Sequence, residues 1–296
     1  MTRAAATTLL AYPNVSEGRD PGKIEAVGRA FGAGLLDVHS DPDHNRSAFT
    51  LAGAPGELAA RVLQGATAAI ERIEIDLHDG LHPRVGAVDV APIVHLSADD
   101  RGAATAEALV LADRLGDELG LPVFLYGTLG GGRTRAQLRR GGPAELARRI
   151  EADELKPDFG PARLHPTAGA VLVAARPPLI AFNVELAGDR TLDDARAFAA
   201  AIREGGAHGL TGVRAIGLWR NHAGRAQVST NIEDHESASP QDVIDAIAAL
   251  AGRDAIDSAE LVGLAPRAAF EDFPADLRLV GHRTIEDALA RRSVNA

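Results

Sequence analysis

The 296-residue chain contains no cysteine. That absence excludes a disulfide framework, a thiolate metal site and a cysteine nucleophile, and it agrees with a reducing, cytoplasmic setting. Apolar runs long enough to span a bilayer are also missing. The short apolar stretch before Tyr12 leads into Pro13-Asn14 and not into a small-residue cleavage site, so it reads as a strand and not as a signal peptide. Positive charge is in deficit as well: 31 Lys and Arg face 41 Asp and Glu, a formal net charge of −10. A general nucleic-acid surface needs a concentrated basic face, so neither nucleic acid nor membrane is an expected partner. One local basic cluster, Arg133, Arg135, Arg139 and Arg140 after a glycine run, suits either an anionic small molecule or, more plainly, a solvated loop and helix start.

The length is about twice that of a usual single domain, which predicts two domains of roughly 150 residues. Apolar alternation predicts strands at Thr8–Tyr12, Leu35–His39, Ser47–Leu51, Val88–Leu96 and Val123–Tyr126. Helical periodicity predicts helices at Pro21–Phe31, Pro55–Arg72, Ala103–Leu119 and Ala144–Glu154. The second half reads more cleanly, with strand Leu179–Glu185, helix Leu192–Arg203, strands Val213–Trp219 and Ala226–Ile232, helix Pro240–Ala251 and strand Glu260–Gly263. That order is β-α-β-β-α-β, the ferredoxin-like split βαβ pattern. The first half shows the same succession up to Val94, with further elements after it. Arg176-Pro177-Pro178 interrupts two strand-like runs with residues that cannot donate ladder hydrogen bonds. The expected fold is therefore α/β (α+β), two ferredoxin-like subdomains over residues 1–177 and 178–296 with a ligand cleft between them.

Several segments carry possible chemistry. Leu81-His82-Pro83-Arg84-Val85-Gly86 places an imidazole two residues from a guanidinium, ahead of a strand. His82 titrates near neutrality and can act as general base, and Arg84 offers a planar fork for carboxylates. The plainer alternative is a turn stiffened by His82-Pro83. His39-Ser40-Asp41-Pro42-Asp43-His44 offers nitrogen and oxygen ligands for a metal, although Asp-Pro-Asp is ordinary turn chemistry. Gly127–Arg133 lacks the Gly-Lys-Ser/Thr ending of a phosphate loop and reads as a flexible loop or a lip over a ligand. Arg163-Leu164-His165-Pro166-Thr167-Ala168-Gly169 groups a cation, an imidazole and a hydroxyl, or is a linker. Gln227, Ser229 and Asn231 alternate along one strand and share a face, as a polar ligand wall or an exposed surface.

Taken in order, these segments resemble the formiminotransferase family, folate-dependent enzymes of histidine breakdown. The resemblance rests on Pro13-Asn14-Val15-Ser16-Glu17-Gly18-Arg19, Asn45-Arg46, His82-Pro83-Arg84-Val85-Gly86-Ala87-Val88-Asp89-Val90, Leu125-Tyr126-Gly127, Pro157-Asp158-Phe159-Gly160-Pro161, Ile180-Ala181-Phe182-Asn183, Gln227-Val228-Ser229-Thr230-Asn231 and Leu264-Ala265-Pro266. It implies a one-carbon transferase that moves a formimino group from N-formimino-L-glutamate to tetrahydrofolate, its co-substrate, with no metal. It also implies a cytoplasmic homodimer in the stand-alone form, without the cyclodeaminase half. His82 falls on the family's catalytic histidine. Gly160, Pro161, Ala162, Arg163, Leu164, His165, Pro166, Thr167, Ala168 and Gly169 fall on its folate-binding segment.

His39, Asn45, Arg46 and Arg84 are the expected substrate-pocket residues, Arg84 and Arg163 being the candidates for holding substrate carboxylates. Mammalian relatives carry an acid where this chain has His39, so Asp37, Asp41 or Asp43 would orient the base here. They carry tryptophan at Ala168, a stacking surface that this chain lacks. Competing expectations are formyl transfer between N-formyl-glutamate and tetrahydrofolate, a metal-dependent hydrolase built on the His39–His44 cluster, and a non-catalytic folate-binding module.

Overall fold

Proline sets the pattern of the first sheet. In a computed structural model that describes residues 7–295, the opening strand is cut at Pro13 into β1 (Leu9–Ala11) and β2 (Asn14–Val15). Next come α1 (Pro21–Phe31), β3 (Leu35–Asp41), β4 (Arg46–Gly53) and α2 (Leu58–Ile70). A strand cut at Pro92 into β5 (Val88–Val90) and β6 (Ile93–His95) follows. Proline has no N–H for the ladder, but its carbonyl still accepts. Phe49 N donates to Pro13 O at 2.9 Å and Tyr12 N to Pro92 O at 3.1 Å, so each broken strand stays in register across its break. The remaining elements are α3 (Arg101–Leu119), β7 (Val123–Leu125), α4 (Arg135–Arg139), α5 (Gly142–Glu151), β8 (Val171–Val173) and β9 (Ala175–Arg176).

With the broken strands rejoined, the sheet runs β3, β4, β1/β2, β5/β6, β8/β9, β7. The first four positions are the antiparallel β-α-β-β-α-β core. The last two are parallel additions, whose crossovers run through α3 and through α4 and α5. One face buries Leu9, Phe49, Leu51 and Ile93 against α1, α2 and α3; the other buries Phe124, Leu172 and Ala174 against Leu138 of α4 and Leu146 and Ile150 of α5. Gly65 permits the close approach of α2 to α1, because a Cβ there would lie 2.1 Å from the Phe31 ring.

The chain divides into two compact units between Arg176 and Pro177. In the second unit β10 (Ile180–Leu186), α6 (Leu192–Ile202), β11 (Val213–Arg220), β12 (Arg225–Ile232), α7 (Pro240–Ala251) and β13 (Ile256–Val262) repeat the core order. β14 (Leu279–Val280) and α8 (Ile285–Asn295) follow. The strand order β11-β12-β10-β13-β14 is the split βαβ arrangement with one parallel strand added at the edge. Thr191 with Asp194, and Ser239 with Asp242, form reciprocal capping boxes that start α6 and α7. Phe182, Val184, Ala226 and Val228 face the helices. On the opposite face Gln227 is fully buried, not exposed, and donates to Glu185 Oε1 at 2.6 Å. Among the described residues no helix is long and apolar enough to cross a membrane.

Candidate active site

Two glycines join the segments singled out from sequence. Gly86 and Gly169 pair in an antiparallel bridge flanked by Ala87 N to Ala168 O at 2.8 Å and Ala170 N to Val85 O at 3.0 Å. A Cβ on Gly86 would lie 2.0 Å from Ala170 O and 2.4 Å from Ala168 O. Gly169 has φ +72°, and a Cβ there would meet Val85 O at 2.4 Å. The His82 loop and the segment ending at Gly169, some eighty residues apart in sequence, are thus zipped backbone to backbone.

That segment is a tight turn. His165 and Gly169 exchange both backbone hydrogen bonds, at 2.9 and 3.0 Å, and Ile75 N donates to Thr167 O at 2.8 Å. His165 Nδ1 accepts from Ala168 N at 3.1 Å, so this imidazole caps its own turn. Ala168 is buried in the core, while Ala162, Arg163, Pro166 and Thr167 are exposed, and Pro161, Leu164 and His165 are half-buried. Gly160 is exposed at φ +75°, where a Cβ would meet Leu121 O at 2.1 Å.

His82 is half-buried, and its Nδ1 lies 2.7 Å from Pro83 O. A carbonyl only accepts, so Nδ1 carries the hydrogen and Nε2 keeps its lone pair. Burial pushes the His82 pKa well below its ordinary value, and the neighbouring charges of Arg46, Arg139 and His44 push it the same way. The His44 ring stands 6.0 Å from the His82 ring, centroid to centroid. His82 is therefore a neutral imidazole at physiological pH, with Nε2 free of the loop's own carbonyl.

Beneath it lies a buried charge triad. Asp89 of β5 has no exposed side-chain surface; Arg46 of β4 and Arg139 of α4 keep 11% and 10%. Arg46 Nη1 donates to Asp89 Oδ2 at 2.6 Å, Arg139 Nη2 donates to the same oxygen, and Arg139 Nε reaches Asp89 Oδ1 at 3.3 Å. Val85 N donates to Asp89 Oδ1 at 2.9 Å, which fixes the carboxylate to the His82 loop. Burial alone would raise the Asp89 pKa, but the charges and hydrogen bonds of Arg139 and Arg46 outweigh it and hold the group below the usual carboxylate range. Burial lowers Arg46 to about 10, which leaves it charged near neutrality. Its Nε donates to Asn14 Oδ1 at 3.1 Å.

The other expected pocket residues have different duties. Asn45 sits at φ +46° in the β3–β4 turn, accepts from Gly18 N at 2.9 Å and donates to Asp79 O at 2.9 Å, so its amide fastens two loops. Arg84 donates to His78 O and, at 3.4 Å, to Gly80 O; the backbone of its own loop occupies the fork expected to hold a carboxylate. His39 is half-buried on β3 between buried Asp37 and Asp41, opposite Ala48. The alternative of a metal-hydrolase cluster at His39–His44 is not favoured: among the described residues no group of three His, Cys, Asp or Glu is placed to hold a metal ion. The local density is turn chemistry, with Asp41 Oδ1 accepting from His44 N at 2.8 Å.

The Gly127–Arg133 segment is tied, not a loose lip. Gly127 N donates to Arg133 O at 2.9 Å, and Arg133 Nη2 and Leu125 N reach Asp158 at 2.6 and 2.7 Å. Sequence reasoning passed over Asp89 and Arg139 as site residues. The one sequence signal for Asp89 is an acid inside the apolar run Val88-Asp89-Val90, and for Arg139 its place in a basic cluster that suits an anionic small molecule or a solvated loop. A separate groove of about 710 Å³ between α1 and β3 is walled by Ile24, Gly28, Leu35 and Val38, and neither His82 nor the triad lines it.

The sequence model of the formiminotransferase domain's N-terminal subdomain matches residues 8–176, and that of the formiminotransferase domain matches residues 181–275. The glutamate formimidoyltransferase of Streptococcus pyogenes serotype M1 is 35% identical over 269 residues, covering 88% of this chain and 89% of that protein. The Thermoplasma acidophilum protein of the same name is 32% identical over 271 residues, covering 88% of each. The formimidoyltransferase-cyclodeaminase of Sus scrofa is 35% identical over 277 residues, covering 89% of this chain; the chain spans about half the length of that longer relative, 51%. The first match spans nearly all of the first unit and the second covers the second unit up to residue 275, short of β14 and α8; the His82 loop and its glycine bridge lie inside the first. The chain belongs to the formiminotransferase family.

Proposed function

We propose that this chain transfers the formimino group of N-formimino-L-glutamate to tetrahydrofolate, giving 5-formimino-tetrahydrofolate and glutamate. The observation that supports the reading is the bridge of Gly86 and Gly169, which holds the loop of a neutral His82 against the segment that the resemblance assigns to folate. Exposed Arg163 and Thr167 on that segment suit a polar, anionic ligand such as folate. His82 Nε2 accepts the proton released as folate N5 bonds to the formimino carbon. It returns that proton to the glutamate nitrogen as the carbon–nitrogen bond to glutamate breaks, so the base is regenerated. One positioned base supplies roughly 10²- to 10⁴-fold, and holding both reactants together supplies much of the remainder.

The relatives that match along nearly their whole length are named for formimidoyl transfer, which favours this reading over formyl transfer. The family resemblance also supports a cytoplasmic homodimer, which sedimentation of the purified protein tests. The function itself is tested by steady-state assays with N-formimino-L-glutamate and N-formyl-L-glutamate, each with tetrahydrofolate. Turnover of the first donor is expected; its absence would overturn the proposal.

A further inference from the structure

The triad carries more positive charge than its own fold requires. Both guanidiniums share one carboxylate, Asp89, and no second carboxylate bonds to either among the described residues. Arg46 spends Nε on Asn14 and Nη1 on Asp89, and Arg139 spends Nε and Nη2 on Asp89. Among the described residues one terminal nitrogen of each is left without a protein hydrogen bond. With about a tenth of each side chain exposed, water solvates the surplus charge only in part, and a nearly buried cation without a counter-charge is costly. An arriving carboxylate removes that cost, and guanidinium forks match carboxylate geometry.

We infer that Arg46 and Arg139 together bind the α-carboxylate of the glutamate donor and so set donor specificity, an assignment that rests on the formimino-transfer reading above. The choice between the donor's two carboxylates follows from covalent distance. In N-formimino-glutamate the α-carboxylate is one carbon from the nitrogen whose bond breaks, and the γ-carboxylate is two carbons further along. Because His82 works on that bond and the triad adjoins His82, the nearer carboxylate is the one within reach. Asp89 keeps the clamp in place: it accepts from Val85 N, on the loop that carries His82, so one carboxylate anchors both the clamp and that loop. Arg84 and Arg163, the candidates suggested by sequence, are not the clamp. The first is committed to backbone carbonyls, and the second stands exposed on the folate-matching segment.

The test crosses two donors with two enzymes. N-formimino-4-aminobutyrate lacks only the α-carboxylate, and Arg139→Gln lacks only one arm of the clamp. Wild type should lose roughly 10- to 100-fold in kcat/KM on the truncated donor, the range expected for charge-assisted hydrogen bonds. Arg139→Gln should show a similar rise in KM for N-formimino-L-glutamate, an unchanged KM for tetrahydrofolate, and little further loss on the truncated donor. Equal losses from the substitution on both donors, or an unchanged donor KM, would overturn the inference. Should Arg139→Gln fail to fold, Arg139→Lys, which keeps the charge and loses the fork, carries the same comparison.

Calorimetric binding of L-glutamate against 4-aminobutyrate needs no turnover. Preference for glutamate in wild type that Arg139→Gln abolishes supports the clamp; equal binding of the two overturns it. A wild type that turns over no formimino donor and yet shows this preference refutes the function and leaves the clamp standing.

Discussion

Gly86→Ala should cost the first unit a large part of its stability and both halves of its site at once. The added Cβ would lie 2.0 Å from Ala170 O, so that carbonyl must retreat by about an ångström before the contact becomes tolerable. Ala170 N and Ala87 N bond at 3.0 and 2.8 Å to Val85 O and Ala168 O, and both residues are buried, so the retreat strands donors that water does not reach. Two backbone hydrogen bonds at about 0.5–1.5 kcal/mol each, with about 1–3 kcal/mol for a buried donor left unpaired, total roughly 2–6 kcal/mol. Urea denaturation measures the loss. Gly102→Ala is the control: it lies in α3 with nothing within 4 Å of its would-be Cβ, and it should be neutral or more stable by roughly 0.5–1 kcal/mol. On the proposed function Gly86→Ala should lower kcat and raise the tetrahydrofolate KM together, because the bridge joins the His82 loop to the segment proposed to hold folate. A Gly86→Ala protein within 0.5 kcal/mol of wild type, roughly the usual range of an inert surface change, would refute the argument.

The proposed base is tested directly: His82→Gln should lower kcat by roughly 10²- to 10⁴-fold while leaving tetrahydrofolate binding, measured by fluorescence titration, nearly unchanged. Asp89→Asn leaves Arg46 and Arg139 without their shared counter-charge and should destabilise by roughly 3–5 kcal/mol in denaturant; a loss below about 1 kcal/mol would mean that the arginines had found another anion. The pH dependence has a definite sign. The His82 pKa is depressed in the folded protein, so between that value and the ordinary 6.5 the unfolded chain binds the extra proton, and stability rises with pH across this window. Activity should follow the same group, with the acid limb of kcat/KM falling below pH 6.5; a limb centred above 6.5 would show that His82 does not sit among the cations described.

The repeated β-α-β-β-α-β order was legible because both sheets follow simple periodicities: alternation in β10 and β12, and apolar helical stripes in α2 and α7. What periodicity could not reveal was the splitting of the first and fourth strands of the first unit at Pro13 and Pro92. A carbonyl on each proline keeps the ladder going where the missing N–H suggests an end. β14 and α8 were not foreseen at all; two residues are too few to show alternation. The site divided along similar lines. His82 and the Gly160–Gly169 segment were visible as motifs, but their union is backbone to backbone, and the only side-chain trace it leaves is the absence of one at Gly86 and Gly169. Asp89 read as a strand residue, and Arg139 as one of a basic cluster with no partner of its own, because the pairing that explains them joins β5 to Arg46 of β4 and to Arg139, fifty positions away.

Asp89 also explains why stability and function separate at some positions of this site and not at others. Its two oxygens receive a backbone amide from the base loop, a guanidinium from β4 and a guanidinium from α4, so three elements converge on one carboxylate. Removing it releases all three, and no assay of activity could then be read apart from the loss of fold. Arg139 and His82 hang from this hub as single branches. Loss of Arg139 leaves Asp89 paired with Arg46, one charge against one, a neutral pair whose carboxylate still accepts from Arg46 and Val85 N. Loss of His82 removes a ring that bonds only to the carbonyl of its own neighbour. The fold can therefore survive the loss of either, and changes in donor KM at Arg139 or in kcat at His82 report on chemistry, whereas the same changes at Asp89 report on the hub.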